Sequence, residues 1–178
     1  MGVTAKKFGN LTSGEEITLY HLENKSGAYA EVMDYGAILV KLCVPDKDGE
    51  LTDVVLGYDD VQQYEVNGCF FGAIIGRSGN RIENSRFFID DKEVVLAENE
   101  NHNNLHSGPD GFEKKLWGVK EISQEKNSVD FFRISPDGEN GFPGEFSIVV
   151  KYEFTEENEL KIFYRGRSDA ATVANMTN

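Results

Sequence analysis

The chain has 178 residues, 39% of them hydrophobic and 28% charged, which is the balance of a soluble globular protein with one domain and its own core. Thirty-one acids against eighteen bases leave a formal charge of -13, which repels nucleic-acid phosphates and anionic membranes, so neither is expected as a partner. The acids cluster in DKDGE, YDD, IDDKE and TEENE, and are expected to form solubilising surface.

In chain order, the polar start MGVTAKKFGN has no signal-peptide core, and Lys6 stands where a myristoylation motif wants Ser or Thr. No segment approaches the roughly 20 apolar residues that span a bilayer, so the cytoplasm is the expected compartment. His21 falls in a predicted surface strand. AILVKLCVPDKDGELTDVVLG reads as a hairpin reversed at Pro45 and Gly49. YDDVQQYEV carries the clearest helical signal, a short helix capped by Asp59. Cys43 and Cys69 each sit in an apolar stretch and are expected as buried free thiols. GAIIGRSGNRI reads as an apolar strand ending in Arg77, Asn80 and Arg81, and RFFIDDKEVVL as a hairpin turning at Asp90 and Asp91.

From Glu98 to Lys115 the periodicity disappears in favour of Asn, Gly and His; irregular stretches of that length are usually functional or disordered. FSIVVKYEF places Phe146, Ile148, Val150, Tyr152 and Phe154 on one face, and LKIFYRG continues with Leu160, Ile162 and Tyr164. The polar TEENE between them predicts an antiparallel hairpin. Many short strands with regular turn signals predict an all-β sandwich. The end, TVANMTN, is strand-like and apolar without a solvated tail, the pattern expected of a truncated or split chain.

Few residues can carry chemistry. His106 lies in NHNNLHSGPDGF, where glycines permit close backbone approach and an imidazole can exchange a proton near neutral pH. The competing expectation is a buried histidine bonded to backbone. His102, flanked by Asn, is expected to be exposed. Arg77 and Arg81 supply rigid forks suited to carboxylate, phosphate or paired sugar hydroxyls, or else to structural ion pairs with the many acids. The glycines precede no helix and make no phosphate loop; no spacing suits zinc, calcium or a nucleophile elbow. No cofactor and no metal are expected.

Five segments together resemble the aldose 1-epimerase (galactose mutarotase) family: DVVLGYDDVQQY, GAIIGRSGNRI, NNLHSGPDGFEKKLW, SPDGENGFPG and DAATVANMTN, in the family's order. The resemblance implies a twisted β-sandwich of the supersandwich type, with residues 1–178 as the N-terminal part of a single domain that binds a free hexose such as galactose or glucose. Family members interconvert the α and β anomers without a cofactor: a carboxylate base deprotonates the anomeric hydroxyl while a histidine acid protonates the ring oxygen. Carried over, Asn80 and Arg81 match the sugar-binding pair and His106 matches a catalytic, sugar-contacting histidine, while Arg77 is expected to be structural. Ser107 stands where the family usually has Gly, which puts in question a positive φ at that position.

In the family, TN is followed by the acid histidine and later by the base glutamate, neither of which has a counterpart among these residues. The resemblance therefore implies a mutarotase that works only with a further C-terminal half as partner. The alternatives are a non-catalytic carbohydrate-binding module, or one half of a split protein on the same scaffold.

Overall fold

Alternation of apolar and polar residues builds two antiparallel sheets in this computed structural model, which describes residues 2–178. The first contains β1 (Gly2–Asn10), β2 (Glu16–Glu23), β3 (Tyr29–Met33), β4 (Leu39–Pro45) and β5 (Leu51–Asp53), side by side in chain order. A single turn and a half of helix, α1 (Val61–Glu65), follows. Two small ribbons come next: β6 (Arg81–Ile82) pairs later with β9 (Asn104–Leu105), and β7 (Arg86–Ile89) pairs with β8 (Lys92–Val95). The second sheet runs β10 (Gly118–Ser123), β11 (Ser128–Ser135), β12 (Phe146–Phe154) and β13 (Leu160–Ser168), again in chain order.

The sheets face each other. Tyr20, Leu22, Ala30 and Val32 from the first meet Val129, Phe131, Ile148, Val150 and Tyr152 from the second in one buried cluster. Tyr20 and Phe131 touch edge to face with ring centroids 5.5 Å apart. Tyr152 is fully buried, and its hydroxyl donates to the Ala37 carbonyl at 2.7 Å, which satisfies the polar end of a large core side chain. On the far face of the first sheet, Ile17, Leu19, Met33, Ile38 and Val40 form a second cluster, covered by Val61 and Tyr64 of α1. An all-β sandwich is thus what the periodicity produces.

The three predicted hairpins form. β12 and β13 pair from Phe146↔Ser168 to Phe154↔Leu160, so their inward residues share a face. β7 and β8 reverse at Asp90 and Asp91, with Asp90 at φ 52°. β4 and β5 reverse across 46–50, where the Asp46 carboxylate accepts from the Asp48 and Glu50 amides.

Other expectations need correction. The helix cap is Asp60, whose carboxylate accepts from the Gln63 N–H at 3.0 Å; Asp59 instead donates its own N–H to the Gln63 side chain. Residues 72–80 are not a strand. Their apolar run is buried, but it is held by isolated bridges to the end of the chain, Ile75↔Thr177 and Ser78↔Asn175. Gly72, at φ 63°, runs so close to β4 that a Cβ would lie 2.0 Å from the Leu39 carbonyl oxygen. Cys43 is buried as expected but Cys69 is exposed, because it lies in the turn that follows α1. The acidic clusters are solvated as expected, and four acids outside them, Glu31, Asp34, Glu113 and Asp130, are buried. Among the described residues, no helix is long and apolar enough to cross a membrane.

Candidate functional site

β6 and β9 are only two residues each, but their pairing (Arg81↔Leu105, Ile82↔Asn104) brings two distant segments side by side. At the end of that ribbon Asn80 and His106 face each other. The His106 N–H donates to the Asn80 carbonyl at 3.0 Å, and the Asn80 N–H donates to His106 Nδ1, also at 3.0 Å. An amide N–H can only donate, so Nδ1 is the unprotonated nitrogen and the proton of the neutral ring sits on Nε2. The Phe70 ring lies against the imidazole with centroids 4.7 Å apart. Burial, then the positive charge of Arg81, pushes the His106 pKa below its ordinary value. The ring is therefore neutral at neutral pH and presents one donor, Nε2–H.

Arg81 extends from the same ribbon. Glu100 holds its fork from one side: Nε donates to Oε2 at 2.8 Å and Nη2 to Oε1. That pairing raises the Arg81 pKa and lowers that of Glu100. Both groups are solvated, so the pair fixes direction more than it stabilises the fold. The Asn80 carboxamide oxygen accepts from the Arg81 N–H at 2.9 Å, turning the asparagine side chain back along the backbone.

Four residues with side chains adopt left-handed backbone here: Phe70 (φ 56°), Asn80 (64°), His106 (55°) and Ser107 (59°). Each such residue costs on the order of 1–3 kcal/mol and persists where surrounding structure imposes it, a pattern that clusters at functional sites. Ser107 thus keeps a positive φ although it is not glycine. A cleft of about 400 Å³, with Phe70, Leu105, Pro109 and Glu113 in its walls, opens beside this group. Asn80, Arg81 and His106 lie next to that cleft and do not line it.

The expected residues divide cleanly. Asn80, Arg81 and His106 are brought together. His106 is half-buried and bonded to backbone, as the competing expectation has it, and its second nitrogen is free among the described residues. Arg81 meets the ion-pair expectation through Glu100. Arg77 is elsewhere: 1% exposed, it donates to the Ser135 hydroxyl at 3.0 and 2.9 Å, to the Ser135 and Pro136 carbonyls at 3.0 Å, and to the Pro143 carbonyl at 2.8 Å. It is a staple between segment 72–80 and loop 135–144, whose Gly138, Gly141 and Gly144 all have positive φ. His102 is exposed and pairs with Glu98, and His21 sits on β2 beside Glu31, both away from the ribbon. Sequence reasoning singled out neither Glu100, which pairs with Arg81, nor Phe70, whose ring lies against His106.

An antiparallel β-sandwich carrying an Asn-Arg-His group on a loop-rich edge defines the class of the protein. The sequence model of the aldose 1-epimerase family matches residues 18–178, and the chain belongs to that family. The aldose 1-epimerase of Escherichia coli K12 is 38% identical over 165 residues, covering 93% of this chain and 47% of the relative. Human galactose mutarotase is 40% identical over 177 residues, covering 99% and 50%. Among solved structures, galactose 1-epimerase from Lactobacillus acidophilus superposes with a TM-score of 0.86 at 26% identity, over 99% of this chain and 51% of that one. A GalM/aldose epimerase homologue from Caenorhabditis elegans gives 0.84 at 33%, over 90% and 49%. The chain spans about half the length of the relatives it matches.

Proposed function

We propose that this chain supplies the sugar-holding part of an aldose 1-epimerase, a mutarotase that interconverts the anomers of a hexose such as galactose or glucose. The observation that carries this reading is the His106 tautomer: a neutral imidazole whose single outward donor, Nε2–H, stands beside a guanidinium. A free sugar offers acceptors of matching kind, its ring oxygen and hydroxyls. Arg81 and Asn80 would read hydroxyls while His106 donates near the ring oxygen and assists its protonation. Two motifs brought together by the fold, from a family whose named members are epimerases, support this assignment.

Ring opening also needs a stronger acid and a carboxylate base. The positions implied for them have no counterpart among these residues, and we assign that work to groups outside the chain. Each such group typically contributes about 10²–10⁴-fold, so the chain by itself is expected to bind sugar with little turnover. The binding-module reading differs only here: it assigns no turnover at all, even in a completed protein.

Galactose titration followed by amide NMR tests the binding step. Saturable shifts at Asn80, Arg81 and His106, weakened about 10- to 100-fold by Arg81→Ala, are expected for a lost charge-assisted hydrogen bond. Shifts elsewhere, or none in folded protein, would rule the site out. Polarimetry of fresh α-D-galactose measures turnover. Strong acceleration by the chain alone, abolished by His106→Ala, would show that an acid and base exist within it.

A further inference from the structure

The His106 loop hangs on one hydroxyl. Ser107 is 1% exposed, and its Oγ accepts from the Ser78 N–H at 2.7 Å and donates to the Ser78 carbonyl at 3.0 Å. Two residues further along, the Asn80 N–H reaches His106 Nδ1. Consecutive loop residues, 106 and 107, are therefore fastened to alternate residues, 80 and 78, of one opposing segment. That segment is itself immobilised from behind: the Gly79 N–H donates to the Asn175 carbonyl at 2.8 Å, and Ser78 bridges Asn175. Space there is closed, since a Cβ on Gly79 would lie 2.8 Å from the Thr177 methyl. The 78–80 segment is a fixed template, and the loop is located on it by the hydroxyl of Ser107 and the ring of His106 together.

Glycine would accept φ 59° at position 107 with less strain, so the backbone conformation alone does not call for serine. The hydroxyl does what glycine cannot. It pairs both backbone polar groups of Ser78 in a buried site and so sets the distance at which Asn80 meets the imidazole.

Resting on the sugar-binding reading above, we propose that Ser107 is a positioning residue: its two-way clasp on Ser78 holds His106 against the Asn80 amide, so that Nε2–H is presented to the sugar. Ser107 touches no sugar itself. It acts by keeping the imidazole in one tautomer and one orientation, where a loosely held loop would let the proton exchange between nitrogens.

The test compares the whole chain with Ser107→Gly and Ser107→Ala, using long-range ¹H–¹⁵N spectra of the His106 ring and galactose titration. Wild type should show one Nε2–H tautomer with a titration midpoint below the ordinary histidine value. Both variants should show mixed-tautomer shifts, a midpoint moved upward, and galactose affinity reduced about 5- to 10-fold, with remote amide signals unchanged. Ser107→Gly decides the matter, because it removes the hydroxyl while relieving the backbone and so remains folded if the alanine variant does not. A glycine variant that keeps the wild-type tautomer and midpoint overturns the proposal. So does a changed tautomer with unchanged galactose affinity. If wild type binds no galactose but its tautomer still depends on Ser107, the clasp stands and the sugar-binding reading falls.

Discussion

Protonation of His106 would place a second donor, Nδ1–H, opposite the Asn80 amide that now donates to that nitrogen. The ring cannot be charged and keep this contact. The folded state therefore favours the neutral ring, in agreement with a pKa pushed down by burial and by Arg81. The sign follows from linkage: the unfolded chain takes up the proton first, near the ordinary histidine value of about 6.5. Stability is thus lost as pH falls from that value toward the lower folded pKa, and no further below it. Acid titration should move the Asn80 amide resonance together with the His106 ring signals, at one shared midpoint below 6.5. On the proposed sugar-binding reading, galactose affinity should weaken over the same interval. An Asn80 amide indifferent to that titration would mean that the bond does not govern the ring. Much of this site was legible as residue types, because NRI and LHSG are distinctive strings. The contacts that give them their chemistry were not. Glu100 lies 19 positions from Arg81, and Ser107 lies 29 from Ser78, and nothing local in sequence announces such pairs.

Among the elements, hairpins were readable and the segment between the sheets was not. β12 and β13 declare themselves because period-two alternation continues through a polar turn, so local preference and tertiary burial agree. Segment 72–80 has a short apolar run that a buried strand would also have, yet its glycines let backbone approach backbone, and only isolated bridges form. Asp59 and Asp60 are chemically equivalent caps one residue apart, and helix ends are read from sequence no more finely than that. Besides its bridges to the chain end, segment 72–80 is tied down by Arg77, whose guanidinium satisfies acceptors on loop 135–144 without any carboxylate in direct contact among the described residues. Arg77→Met keeps most of the apolar stem but leaves the Ser135, Pro136 and Pro143 carbonyls without that donor. A loss of about 1–3 kcal/mol is expected from leaving such buried acceptors unsatisfied. Chemical denaturation would report it as a lower midpoint. Because the same segment ends in Asn80, the variant should also broaden the His106 and Asn80 resonances. A midpoint within about 0.5 kcal/mol of wild type, the range of an ordinary surface change, would show that the loop is held by something else.

Across the whole molecule, two sheets share one core while the surface carries a formal charge of -13. Charge of one sign stores repulsion in the compact state, and unfolding relieves it by moving the acids apart. Opposing this are surface ion pairs such as Lys7–Glu16, Lys25–Glu156 and Arg86–Glu93, at 2.9, 3.5 and 3.1 Å. Each is solvated at both ends and worth at most about 1 kcal/mol, many of them close to nothing. Salt weakens both terms, because raising ionic strength from 0.01 to 0.15 M shortens the screening length from about 30 to about 8 Å. A pair in contact lies well inside the shorter length and loses little. Repulsion among acids scattered over both sheets acts at longer range and loses most. The net effect of added sodium chloride should therefore be stabilising, a rise in Tm of about 2–4 °C for each kcal/mol of repulsion removed in a chain of this size. Calorimetry at the two ionic strengths measures it directly. A fall in Tm would mean that the ion pairs, the contact of buried Glu31 with Lys6 among them, outweigh the long-range field.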